Sequence, residues 1–155
     1  MMRTLHGDLL KSNERLIAHG CNSQGVMGSG IAKQIKLRYP EVYEDYKRVY
    51  EDYVKKTKIP YLPLGKLFSK ETNDGTRVVL NLITQHLFGS NGNKFVSYDA
   101  VDECFTHVAE YMELNDHQVI GIPQIGAGLG GGDWNVIASI INSRMSKFDV
   151  NVYVL

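Results

Sequence analysis

Two glycine-punctuated segments, far apart in the chain, set the tightest limit on what it can fold into. The first is His19-Gly20-Cys21-Asn22-Ser23-Gln24-Gly25-Val26-Met27-Gly28-Ser29-Gly30-Ile31-Ala32. The second is Pro123-Gln124-Ile125-Gly126-Ala127-Gly128-Leu129-Gly130-Gly131-Gly132-Asp133. Each follows an apolar run of strand character and leads into a run of helical periodicity. Strand–loop–helix junctions of this kind belong to α/β sheets. They also expose backbone N–H groups at the positive end of a helix, which suits a phosphate. Two in one short chain point to a ligand with more than one phosphate, or to one gripped from both sides.

The rest of the chain fits the same class. Its 155 residues make one domain, 1–155, large enough for a core without metal or disulfide staples. Strands are predicted at 3–6 and 16–20, then a helix over 29–39. Pro40 ends that helix and suits the first position of the next, where Val42, Tyr46, Val49 and Tyr53 recur on one face. Strands at 66–69 and 77–84 flank a turn at Asn73-Asp74-Gly75, a hairpin signal. The nearly unbroken apolar run 78–83 predicts a strand buried on both faces. After a glycine-rich loop at 89–93, Ser97 is placed to cap a helix carrying Val101, Phe105, Val108 and Met112. A strand follows at 118–122. Asp133 then caps a helix burying Trp134, Ile137, Ala138 and Ile141, and a last strand covers 150–155. The class is α/β, with a mostly parallel inner sheet and one hairpin. Ligands of such sheets sit beyond the carboxyl ends of strands, where both glycine loops lie.

Composition and spacing exclude several functions. With 17 basic and 17 acidic side chains, the chain offers no extended nucleic-acid surface, and Lys55-Lys56-x-Lys58 reads as a solvated helix end. The two cysteines, Cys21 and Cys104, make no disulfide framework, and neither they nor the five histidines show metal-ligand spacing. No metal and no cofactor are expected. Without a signal-like or membrane-spanning run, a soluble monomer is expected in the cytoplasm, that of the host if the chain is viral. Gly126-x-Gly128-x-x-Gly131 formally matches a dinucleotide fingerprint, but Asp149, the acidic residue at the right distance, opens the next strand instead of closing it. Ile31 and Ala32 stand where a nucleotide P-loop needs Lys and Ser or Thr. No Arg lies between Cys21 and Gln34 to hold a phosphate on a cysteine nucleophile, so Cys21 reads as a small buried residue at a strand end. His19 and Cys21 alternate onto one strand face, Gly20 and Asn22 onto the other. Asn22 suits either a sugar hydroxyl or turn geometry. Asp8, after the first strand, suits either an adenine amino group or a turn cap, the cap being the simpler reading.

Taken in order, these parts resemble a macro domain, the ADP-ribose-binding α/β module, from about Thr4 to Leu155. The parts are Gly7-Asp8-Leu9; His19 to Asn22 followed by Met27-Gly28-Ser29-Gly30-Ile31-Ala32; Asn81-Leu82-Ile83-Thr84 leading to Phe88-Gly89; Pro123 to Leu129; and the closing Val152-Tyr153-Val154-Leu155. The resemblance implies a three-layer α/β/α sandwich with a mixed central sheet. Gly30-Ile31-Ala32-x-Gln34-x-x-x-Arg38-Tyr39-Pro40, and Pro123-Gln124-Ile125 followed by Gly128, bring it closest to the yeast-type ADP-ribose 1″-phosphate phosphatases. On that basis Asp8, with Gly7 and Leu9, takes the adenine end. Gly28, Ser29, Gly30, Ile31 and Ala32 face Gly126, Ala127, Gly128 and Leu129 across the diphosphate, with Met27, Pro123, Gln124 and Ile125 beside them. Gly20, Cys21 and Asn22 face the distal ribose. The implied reaction is release of phosphate from ADP-ribose 1″-phosphate, with Asn22 positioning the ribose. His19 reads either as a structural residue at the strand end or, its ordinary pKa lying near neutrality, as the candidate acid–base. Two other activities share the pocket: reading ADP-ribose without turnover, and removing ADP-ribose from macromolecules. The relative that frees glutamate side chains uses a Lys and an Asp where this chain has Gln85 and Gly130.

Overall fold

The computed structural model describes residues 1–86, 95–128 and 130–155. The glycine-rich loop expected at 89–93, and Leu129, lie outside the described residues.

Among the described residues six strands form one sheet: β1 (Met2–His6), β2 (Leu16–Asn22), β3 (Leu67–Glu71), β4 (Val78–Gln85), β5 (Val119–Ile122) and β6 (Asp149–Val154), in the order β1-β6-β5-β2-β4-β3. Every pairing is parallel except β3 with β4, the predicted hairpin. Its loop closes through Asp74, whose Oδ1 accepts from the Thr76 N–H at 3.0 Å and the Thr72 hydroxyl at 2.6 Å. β4 is buried from Val78 to Thr84, as its nearly unbroken apolar run requires.

Four α-helices among the described residues cover the sheet: α1 (Gly30–Arg38), α2 (Pro40–Thr57), α3 (Tyr98–Leu114) and α4 (Trp134–Arg144). Ser97 and Asp133 cap α3 and α4, each accepting from a backbone N–H two or three residues on. The strand period of two sorts the core. Leu16 and Ala18 of β2, with Leu80 and Leu82 of β4, pack with Val101, Phe105 and Val108 of α3 and Ile137 and Ile141 of α4. Their neighbours Ile17 and Val79 face Ile35 of α1 and Val42 of α2, while Cys21 and Ile83 meet Tyr46 of α2. The result is the expected α/β/α sandwich with a mixed sheet. Trp134 and Ala138, predicted as core, are only half-buried. Among the described residues no helix is long and apolar enough to cross a membrane.

β2 and β5 are sheet neighbours, yet the chain leaves them in opposite directions. After β2 it turns to α1 on one face; after β5 it turns to α4 on the other. That divergence opens a crevice at the carboxyl edge of the sheet.

Candidate functional site

The crevice is a cleft of about 310 Å³. One wall is Gly28, Ser29, Gly30, Ile31 and Ala32, the entry to α1. The other is Pro123, Gln124, Ile125, Gly126 and Gly128, with Gly130. Gly20, Cys21, Asn22, Val26 and Gln85 complete it. Among the described lining residues there is no Asp, Glu, Lys, Arg or His. To an anion the described lining offers backbone N–H groups, a helix dipole and the polar side chains of Asn22, Ser29, Gln85 and Gln124.

The two walls differ in what they offer. In α1 the first intrahelical bond runs from the Lys33 N–H to the Ser29 carbonyl at 3.3 Å. The N–H groups of Gly30, Ile31 and Ala32 precede it and have no helical acceptor. Ser29, in extended N-cap geometry, makes no side-chain cap bond. The positive end of α1 is therefore left open to the cleft. In the opposite wall several N–H groups are spent on turns: Ile125 to Pro123 O at 2.9 Å, Ala127 to Gln124 O at 3.2 Å, Gly132 to Gly126 O at 2.7 Å. Gly126 sits at φ +75°, and a Cβ there would fall 2.6 Å from Val96 Cγ2. Only glycine lets this wall lie so close to the segment before α3.

Asn22 ends β2 inside the cleft, but its amide is engaged in the loop. Its Nδ2 donates to Val26 O at 2.6 Å, and its Oδ1 accepts from the Gln24 N–H at 2.8 Å and the Tyr46 hydroxyl at 3.0 Å. Of the two uses open to Asn22 in the sequence, the turn is the one the geometry displays.

His19, the expected acid–base, stands apart from the residues that line the cleft. It is 0% exposed, lies beneath the cleft and does not line it. Alternation along β2 turns its ring toward α1 and α2, where Nε2 lies 2.6 Å from Asn81 Oδ1. Burial favours the neutral ring and pulls its pKa down to about 4, against a smaller upward pull from Asn81. Cys21 Sγ lies 3.5 Å from the same nitrogen, and burial pushes its thiol well above the usual range. Neither group is activated. Asn81 Nδ2 and Thr84 Oγ1 are buried without a partner among the described residues.

Other predicted residues fall outside the cleft lining. Met27, 1% exposed, fills the core with Cys21 and Tyr46. Ala127 packs against the α3–α4 core. Gly7 pairs its N–H with Val154 O at 2.9 Å, and Leu9 is buried. Asp8 caps the short turn Leu9–Lys11, its Oδ1 accepting from the Leu10 N–H at 2.9 Å. Asp8 follows Gly7, whose partner Val154 closes β6 at the carboxyl edge of the sheet, the edge on which the cleft opens. Conversely, Val26, Gln85 and Gly130 line the cleft without having been counted as site residues. Gln85 had one available signal, since it directly follows the buried run 78–84, and it pairs with Asn22. Gln85 Oε1 lies 3.1 Å from where a Gly130 Cβ would stand. The two departures from the lysine-dependent relative thus fall at one spot. Among the described residues no cluster of His, Cys, Asp and Glu is placed to hold a metal ion.

The macro domain family model matches residues 18–141. A 17.5 kDa protein from the tk–vs intergenic region of Enterobacteria phage T4 is 30% identical over 97% of this chain and 94% of its own length. A DNA ADP-ribosyl glycohydrolase of Mycobacterium tuberculosis is 32% identical over 91% of this chain, which spans only 38% of that protein. An ADP-ribose 1″-phosphate phosphatase of Saccharomyces cerevisiae is 27% identical over 96% of both chains. The solved macrodomain of Mycobacterium tuberculosis DarG superposes with a TM-score of 0.82 at 25% identity, covering 100% of this chain and 98% of that one.

Proposed function

Because the chain belongs to the macro domain family, we propose that its cleft binds ADP-ribose and hydrolyses ADP-ribose 1″-phosphate to ADP-ribose and phosphate. The observation that carries this reading is the open N-terminus of α1 on a cleft whose described lining has no ionised side chain. A diphosphate there meets the N–H groups of Gly30, Ile31 and Ala32, each such bond to an anion contributing about 1.5–3 kcal/mol. The opposite wall limits its width. Adenine then points to Asp8, whose Oδ2 takes no part in the cap, and the distal ribose to Gly20, Asn22 and Gln85.

In the reaction, water attacks phosphorus and the bond from phosphorus to the 1″ oxygen breaks. A proton from that water ends on the 1″ oxygen. Backbone donors stabilise the charge on the phosphoryl oxygens, and solvent relays the proton. His19 and Cys21 take no part, being buried and neutral.

A second reading, removal of ADP-ribose from nucleic acid, is favoured by the 32% identity to the glycohydrolase. Against it stand Gln85 and Gly130, together where the lysine-dependent relative has Lys and Asp. Three measurements run side by side separate the readings: calorimetry with ADP-ribose, phosphate release from ADP-ribose 1″-phosphate, and ADP-ribose release from ADP-ribosylated DNA. Binding with phosphate release is expected. Binding without either release makes the protein a reader, and release from DNA alone makes it a glycohydrolase. Absence of binding overturns the assignment of the cleft.

A further inference from the structure

Tyr46, in the middle of α2, is 0% exposed. Its ring packs with Cys21, Met27, Leu62 and Ile83, a role phenylalanine would fill equally well. The hydroxyl does something else. It donates to Asn22 O at 2.5 Å and Asn22 Oδ1 at 3.0 Å, and it accepts from the Gly25 N–H at 3.1 Å. One turn further along α2, the Tyr50 ring lies against the same loop, and a Cβ on Gly25 would meet it at 2.8 Å. Two tyrosines thus pin residues 22–25 to α2. That loop ends β2 at one side of the cleft and leads to Gly28–Ala32 at the other. Burial keeps the phenol protonated, so its donor is present at all working pH values.

We propose that Tyr46 is a positioning residue of the cleft. Its hydroxyl fixes the loop after β2, and with it the distance between Asn22 and the open end of α1. The inference rests on the reading that the cleft binds ADP-ribose. It assigns to α2, which does not line the cleft, control over ligand affinity rather than over the chemical step.

The test is calorimetry with ADP-ribose on the wild type, Tyr46→Phe and Val42→Ala, with phosphate release as a second readout. Val42 is buried on the same helix but packs with Leu9 and Ile35, away from the loop. Tyr46→Phe is expected to raise Kd about tenfold, and KM with it, while kcat changes less. Val42→Ala is expected to lower Tm and leave Kd unchanged. If the wild type binds and Tyr46→Phe binds equally well, or if Kd follows Tm in both variants, the positioning role is overturned. If the wild type does not bind, the reading of the cleft falls first and this role with it. Should Tyr46→Phe fail to fold, Tyr50→Leu takes its place with the same expectations.

Discussion

His19 shows how much one side chain's surroundings decide. The imidazole is held neutral, with its pKa near 4 against about 6.5 when unfolded. Between those values the unfolded chain binds a proton that the folded one refuses. The stability it contributes is therefore complete above about pH 6.5 and is lost as the pH falls toward 4. On going from pH 7 to 4.5 the loss is expected to be on the order of 2–3 kcal/mol. Urea unfolding of the wild type and His19→Gln at both pH values checks this, the variant showing the shallower loss. Glycines of the cleft divide just as sharply. At Gly128 an added Cβ meets nothing within 4 Å, whereas at Gly126 it meets Val96 and Ile137. Gly126→Ala should lower stability by about 1–3 kcal/mol. Gly128→Asp should leave Tm unchanged and weaken ADP-ribose binding at least about tenfold, because it sets a carboxylate beside the diphosphate. Alternation along β2 was legible in the sequence, and so was the company of His19 with Cys21. The side of the sheet that α1 and α2 cover was not, because it depends on a crossover and not on local pattern. Local pattern alone therefore leaves open whether the ring meets the cleft or the core.

At the scale of elements, the caps and punctuation were readable because they are local. Ser97, Asp133, Pro40 and the Asn73-Asp74-Gly75 turn each act within three or four residues of themselves. The start of α1 is different. It has an N-cap serine whose side chain does not cap, an omission that costs the helix a little and leaves its N–H groups for a ligand. Ser29→Asp reverses the trade. It is expected to raise stability by about 0.5–1 kcal/mol and to weaken ADP-ribose binding, the new carboxylate occupying the anion's place. Thermal melts with and without ligand measure both effects, and a variant that gained stability while binding equally well would remove α1 from the site. The role of α2 behind the first loop left no trace in the sequence, since a tyrosine on an apolar helical face reads as packing.

For the molecule as a whole, the meeting of the two glycine loops is a property of strand order. Each loop was recognisable alone, but their junction requires β5 to lie beside β2, a long-range choice that no local pattern encodes. That junction is also the thinnest line of the sheet. Where β2 pairs with β4 from Leu16 to Asn22, with one register shift after Cys21, it pairs with β5 only at Ile17 and Gly121. Backbone amides of β2 facing β4 should be the slowest to exchange with deuterium, and those near the β2–β5 boundary faster. The cleft sits across this boundary, its floor belonging to one half of the sheet and its far wall to the other. Whatever fills it becomes a clasp: a small molecule joining two half-sheets whose backbone ladders meet at one matched pair.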